Sequence, residues 1–184
     1  MVYNAVQLLR EQGATGTGVR SVIERADAPR GSFQHYFPGG KDQLVGEAVS
    51  WAGEFAAAWV HRYLRTARKP TPAGLFAHMA GQWKTEYTSR GFARGCPLVA
   101  TAADLAAGDS AVNAPLRTAF EGWETAVAEA LSSMNVPAAR ARRLALLMLS
   151  ALEGAIALAR VEESVRPLTV VVAEVGPLLD AAAG

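Results

Sequence analysis

Apolar residues recur along the chain at intervals of three and four, and no stretch sustains a two-residue alternation. Helices bury one stripe of side chains at that spacing, whereas half-buried strands alternate, so the expected fold class is all-α. Glycine and proline cluster at 13–18, 38–40, 70–74, 91–97 and 176–177 and separate the periodic stretches from one another. There is no internal repeat and no low-complexity tract.

Val2, Ala5, Val6 and Leu9 mark the inner face of a first helix, which runs to about Gln12 with Gly13 placed to cap it. Its front is short, as though the chain begins inside the helix. A second helix of about nine residues follows Thr17, a residue suited to the N-cap, and carries Val19, Val22, Ile23 and Ala26 on one side. A helix this short needs neighbours to be stable. After a break at Asp27-Ala28, a third short helix opens at Pro29, a residue favoured at the first helical position, and buries Phe33 and Phe37. Around those anchors stand Arg30, Gly31, Ser32, Gln34, His35 and Tyr36. Two short helices joined by a tight turn, the second polar on its front and outer face, have the organisation of a helix-turn-helix.

Such a second helix fits the major groove of DNA with its N-terminal turn toward the base edges. Arg20 and Arg30 carry the donors for guanine O6 and N7, and Gln34 can pair bidentately with adenine. Gly31 lets the backbone approach the duplex. Lys41 opens a fourth helix, where free amides and the helix dipole favour a phosphate. Plainer readings stand beside these: Tyr36 packed beneath helix one, His35 as a surface histidine, and Arg20 paired with Glu24 one turn on.

The stretch Thr17–Leu44, TGVRSVIERADAPRGSFQHYFPGGKDQL, resembles the DNA-binding domain of the TetR family of bacterial regulators. The likeness rests on Thr17 before helix two, the spacing of Ile23 and Ala26, Arg30-Gly31-Ser32, His35-Tyr36-Phe37 and Lys41. The glycine usual in the family's turn is Asp27 here, and Asp tolerates the left-handed conformation better than most residues. The aromatic residue frequent in the recognition helix is Gln34. The resemblance implies base contacts from Arg20, Arg30, Gly31 and Gln34, and phosphate contacts from Thr17, Ser32, Tyr36 and Lys41, with His35 open between the two. It also implies a homodimeric repressor on a palindromic operator, released by a small molecule.

Helix four is expected over about 41–68, with Leu44, Ala48, Trp51, Phe55 and Trp59 on one stripe. Arg62, Arg65, Arg68 and Lys69 load its end, either as cations offsetting the dipole or as a second nucleic-acid patch. Lys69-Pro70-Thr71-Pro72 ends it, giving an N-terminal three-helix domain (1–45), the connecting helix four, and a larger helical effector-binding and dimerisation domain (70–184). In that body Leu75, Phe76, Met79, Trp83 and Tyr87 line one helix, a short helix covers about 97–107, and Leu116 to Met134 form a third stripe. Arg94-Gly95-Cys96-Pro97-Leu98 resembles the LmrA/YxaF-like branch of the same family. The resemblance puts Trp51, Trp59 and Trp83 on helices that enclose an effector cavity. The candidate lining is Trp51, Phe55, Trp59, His78, Met79, Trp83, Glu86, Phe120 and Trp123, with plain core as the alternative. It suits a flat, largely apolar or aromatic ligand oriented by His78 or Glu86.

Residues 138–161 and 168–183 carry more apolar surface than a small body needs. Leu144, Leu147, Met148, Ala151, Ala155, Leu158, Val171 and Val175 are the candidate dimer interface, and Gly154 allows close approach. Two such helices from each of two chains make a four-helix bundle.

Composition adds three constraints. A 51% hydrophobic, 19% charged chain can bury a core. The net charge of +1 hides a gradient: residues 1–69 hold nine Lys or Arg against six acids, +3, and the remainder nine against eleven, −2. Cys96 is the only cysteine, so no internal disulfide forms and a cytoplasmic home is expected. No basic-then-apolar leader opens the chain, and the apolar runs at 144–152 and 168–172 fall short of the ~20 residues a span requires, so no membrane partner is expected.

Chemistry is sparse. His35, His61 and His78 lack metal-ligand spacing, and no glycine-rich phosphate loop or nucleophile elbow occurs, so neither metal nor cofactor nor catalysis is expected. The competing classes are an all-α enzyme with an aromatic cavity and a non-regulatory DNA-binding protein.

Overall fold

The computed structural model describes residues 1–29, 31–105 and 111–183, and among these there is no strand. The helices are α1 (Val2–Gly16), α2 (Val19–Arg25), α3 (Ser32–Tyr36), α4 (Gly40–Thr66), α5 (Pro72–Arg90), α6 (Pro97–Asp104), α7 (Asn113–Ser133), α8 (Ala138–Glu162) and α9 (Arg166–Asp180). The all-α expectation holds. Boundaries move where local chemistry was misjudged. The third helix begins at Ser32 instead of Pro29, and α9 begins at Arg166, two residues before the expected start at Leu168. Residues 106 and 107 of the expected 97–107 helix lie outside the described residues.

The chain divides into two compact units, Met1–Glu54 with Arg94–Glu121, and Phe55–Ala93 with Gly122–Gly184. This division differs from a cut at 69–72. α6 and the first part of α7 belong with the helix-turn-helix, and α4 contributes to both units.

In the first unit α1 packs on α2 and on α6. Val6, Leu9, Val22, Phe33, Phe37, Leu44, Val49, Leu98 and Leu116 are buried, each contributing about 1.5–3 kcal/mol of transfer free energy at full burial. Gly13 ends the regular part of α1 at φ 71°, a left-handed conformation that admits glycine without steric cost. A Cβ there would also strike the Asp104 carboxylate, which accepts the Thr15 amide at 2.8 Å. α4 meets α7 through small residues. A Cβ on Gly53 would lie 2.7 Å from the Cβ of Ala119, and one on Gly46 would lie 3.3 Å from Pro115.

The second unit is a bundle in which α5 packs on α8 and α9 and α8 packs on α9. Val60, Leu75, Phe76, Met79, Tyr87, Val127, Leu131, Leu144, Met148, Leu152, Leu168 and Leu179 fill it. The Thr71 hydroxyl caps α5 by accepting the Gly74 amide at 3.0 Å, with Pro72 behind it. At the far end of α9 the Asp180 carboxylate accepts the Ala73 amide at 2.8 Å. By length and composition α8 is apolar enough to cross a membrane, which the count of uninterrupted apolar residues did not anticipate; half of its most apolar stretch is buried inside this unit, the pattern of a core helix.

Candidate nucleic-acid interface

The turn between α2 and α3 is built by the backbone. The Ala28 amide donates to Ile23 O at 3.1 Å and the Asp27 amide to Glu24 O at 3.2 Å, while Asp27 sits at φ 48°. This is a Schellman cap with Asp27 in the position glycine usually takes. It sends the chain into α3, whose Phe33 and Phe37 rings pack 5.2 Å apart in the core. With those two anchors inward, Gln34, His35 and Tyr36 are exposed on the opposite face. Tyr36 is 62% exposed and does not pack under α1. A Cβ on Gly31 would meet nothing within 4 Å, so the backbone there is open to approach. The Ser32 hydroxyl donates to Pro29 O at 2.6 Å and Gln34 Nε2 reaches Pro38 O at 3.4 Å. Lys41 is half-buried in the first turn of α4. Arg30 lies outside the described residues.

Two expectations change. Thr17 is only 1% exposed and its hydroxyl donates to Gly13 O at 2.6 Å. It therefore holds the corner after α1 instead of facing a phosphate, and Gly18, with no side-chain cap, takes the N-cap position of α2. Arg20 does pair with Glu24, at 2.8 Å in a solvent-exposed i, i+4 bridge. That exposed bond is worth little, so the guanidinium can exchange partner at small cost.

Beside the reading face lies a network the sequence did not reveal. Glu11 on α1 accepts Arg25 of α2 through both oxygens, at 2.6 and 2.9 Å, and Arg94, 83 residues away in sequence, at 3.0 Å. The bond from Arg25 holds the Glu11 carboxyl below its ordinary value of 4.5; partial burial opposes this, and the bond from Arg94 and both charges reinforce it. A depressed carboxyl binds fewer protons in the folded state, so its contribution to stability is full above 4.5 and disappears as pH falls through the lowered value. Glu11→Gln should therefore lower stability at pH 7, and the gap from wild type should close below the ordinary carboxylate range. Urea unfolding at pH 7 and at pH 3 checks this; an equal gap at both pH values refutes it.

The candidate effector residues divide between the units. In the first, Phe120 is half-buried and exposed Trp51 stands edge-on to Tyr3 at 6.1 Å. Trp51 borders a groove of about 720 Å³ that Asp42, Glu47 and Glu54 also line. In the second, Trp59 stacks on His78 at 4.9 Å and on exposed Phe55 at 6.2 Å. Tyr63 adds a second ring to His78 at 5.4 Å, and the Arg62 guanidinium sits 5.0 Å over Trp59. His78 Nε2 is buried without a hydrogen-bond partner. Burial lowers the His78 pKa, a backbone bond with Trp59 opposes that, and the Arg62 charge adds to the lowering. Met79, Trp83 and Trp123 are core residues, and Glu86 is half-buried. Sequence reasoning missed Tyr63 and Arg62, which lie one turn beyond Trp59 on α4.

Of the candidate dimer residues, Leu144, Met148 and Ala155 are buried within the chain itself, on the inner stripe of α8. Val171, Val175 and Ala151 are half-covered. Leu147 and Leu158 are exposed, at 40% and 56%, and with them Leu178 of the last apolar stripe and Val161 and Val170, which the sequence reading did not select.

Residues 4–48 match the family of bacterial regulatory proteins called tetR, and residues 72–174 match the C-terminal domain of LmrA/YxaF-like transcriptional regulators. An HTH-type transcriptional regulator of Mycobacterium tuberculosis is 36% identical over 178 residues, covering 93% of this chain and 88% of the relative. The chain belongs to the TetR family. YxaF of Bacillus subtilis, another HTH-type regulator, is 28% identical over 184 residues, 97% of this chain and 92% of its own. A TetR regulator of Legionella pneumophila has the same fold, with a TM-score of 0.83 at 17% identity, covering 97% of this chain and 94% of that one. This TetR-family chain is thus a DNA-binding transcriptional regulator, and both the N-terminal motif and the 94–98 motif lie within the matched spans.

Proposed function

We propose that this protein is a repressor that binds a palindromic operator as a homodimer and releases it on binding a small, largely apolar or aromatic molecule. The observation that carries the reading is the exposed polar face of α3, held outward by the buried Phe33 and Phe37. In this reading Arg20, Arg30, Gly31 and Gln34 meet base edges. Ser32, Tyr36 and Lys41 hold phosphates, His35 lies beside them, and Thr17 supports the corner from inside. Residues 1–45 read DNA, and 70–184 hold effector and partner. The unsatisfied His78 ring nitrogen, set among the rings of Trp59 and Tyr63, supports an aromatic effector with a hydrogen-bonding group. Such a regulator works in the cytoplasm by binding alone, without catalysis, and its switch is the difference in effector affinity between two states.

The test is duplex binding across a salt series, with an operator selected by the protein from a randomised pool. Affinity should fall steeply with salt as phosphate-bound counterions are released. Lys41→Ala should weaken all sequences alike and flatten that slope by about one unit, whereas Gln34→Ala should relax preference at particular base positions, by about 1–3 kcal/mol. Salt-indifferent binding, or no selected sequence at all, refutes the reading.

A further inference from the structure

The chain passes between the two units three times: within α4, within α7, and through the extended segment between α5 and α6. Both ends of that segment are fixed. On the side of the second unit, Phe92 packs its ring on Tyr87 at 4.9 Å. Arg160 of α8 donates Nε to Phe92 O at 3.3 Å and Nη2 to Ala93 O at 3.1 Å. Gly91, at φ 77°, ends α5 and turns the chain out. On the side of the first unit, Arg94 donates to Glu11, and the Gly95 amide donates to Arg10 O at 2.8 Å. Arg10 Nε returns a bond to Gly95 O at 3.3 Å. Every residue from Phe92 to Gly95 is therefore held by a named partner. The Glu11 carboxylate that receives Arg94 also receives Arg25 at the end of α2, immediately before the turn that aims α3. The three side chains are about three-quarters to two-thirds covered, so this junction is screened less than the exposed Arg20–Glu24 bridge.

We propose that Glu11 is a positioning residue for operator recognition: one carboxylate fixes the end of α2 and the Arg94 end of the segment that Arg160 anchors at its other end. A displacement of Phe92 and Ala93 by α8 reaches Glu11 through two residues of pinned backbone, and Glu11 passes it to α2. The proposal rests on the operator-binding reading above. It assigns a role to the 94–98 motif, which neither base contact nor effector contact explains.

A double-substitution cycle on operator affinity tests it, using the duplex selected by the wild-type protein. Glu11→Gln should lower affinity about tenfold, and Arg160→Ala, on α8 of the second unit, by a similar factor. The double variant should bind no worse than Glu11→Gln alone, because the first substitution already severs the connection. Arg166→Ala, which breaks the exposed Arg166–Glu162 pair, controls for a generic loss of helix stability and should bind as wild type. Should Glu11→Gln fail to fold, Arg94→Met severs one arm and leaves Arg25 on Glu11, and the same cycle is run with it. Multiplying losses in the double variant overturn the proposal, as does wild-type affinity in a folded Arg160→Ala. Failure of the wild-type protein to select any duplex overturns the operator reading itself, a separately visible outcome.

Discussion

Replacing Leu147 or Leu158 with glutamate should give a folded monomer whose operator affinity has fallen by at least about a hundredfold. On α8 the positions Leu147, Ala151, Gly154, Leu158 and Val161 recur at four and three, all exposed or half-exposed, the last at 84%. Val170 and Leu178 extend the apolar surface on α9. Contiguous apolar surface of this kind marks an interface, and two copies meeting through it would give a self-complementary contact. A buried charge at its centre costs more than the surrounding contacts return. Two recognition helices on one duplex bind as a unit only when joined, which is why loss of the dimer carries loss of affinity. Sedimentation and operator titration together decide the matter: dimers at micromolar concentration with wild-type affinity would remove this surface from the interface. A charge at Ala155 is no substitute, since that position is in the core and the variant would unfold.

Phe33→Ala should abolish operator binding for a different reason. The ring is buried and packs on Phe37, and α3 has only five residues, too few to hold a helix without tertiary contacts. Removing a buried phenylalanine costs about 3–5 kcal/mol, against about 5–15 kcal/mol for a whole domain. Hydrogen exchange should show residues 19–37 losing protection while α5, α8 and α9 keep theirs. Retention of operator binding within about threefold would show that the anchors do not set the reading face.

Much of this was legible in the sequence because helices announce themselves locally. The 3.6 period located all nine helices among the described residues, and Pro72, Gly13 and Asp27 mark ends that the backbone confirms. Phe33 and Phe37, four apart, correctly set which face of α3 turns inward. Phase was the weak point on α8. An alanine- and leucine-rich helix has apolar residues all round, so Leu144 and Leu147 look alike in sequence and only packing separates the buried stripe from the exposed one. Thr17 failed for a related reason: a hydroxyl before a helix predicts a cap, but here its bond runs back to Gly13. The Glu11 junction was invisible, since nothing in local spacing joins residues 11, 25 and 94. Tyr63 and Arg62 lay within reach of the i, i+4 rule, had the turn after Trp59 been read as surroundings for His78.

The contact of Gly46 and Gly53 with Pro115 and Ala119 bears on how such regulators can be recombined. A DNA-reading segment cut near residue 45 and grafted onto the body of another regulator would leave behind both glycines and both of their opposite numbers. Its α4 would then come from one parent and close on an α7 shaped with it, while α1 and α3 would rest on foreign neighbours. A cut at 54 is worse. It carries the glycines but meets whatever the recipient has at 115 and 119, where this chain's own Pro115 and Ala119 lie so close that a Cβ on residue 53 would stand 2.7 Å from the Cβ of Ala119. A transplantable reader is therefore discontinuous: residues 1–54 travel with 94–121, and the α5 segment between them stays with the recipient.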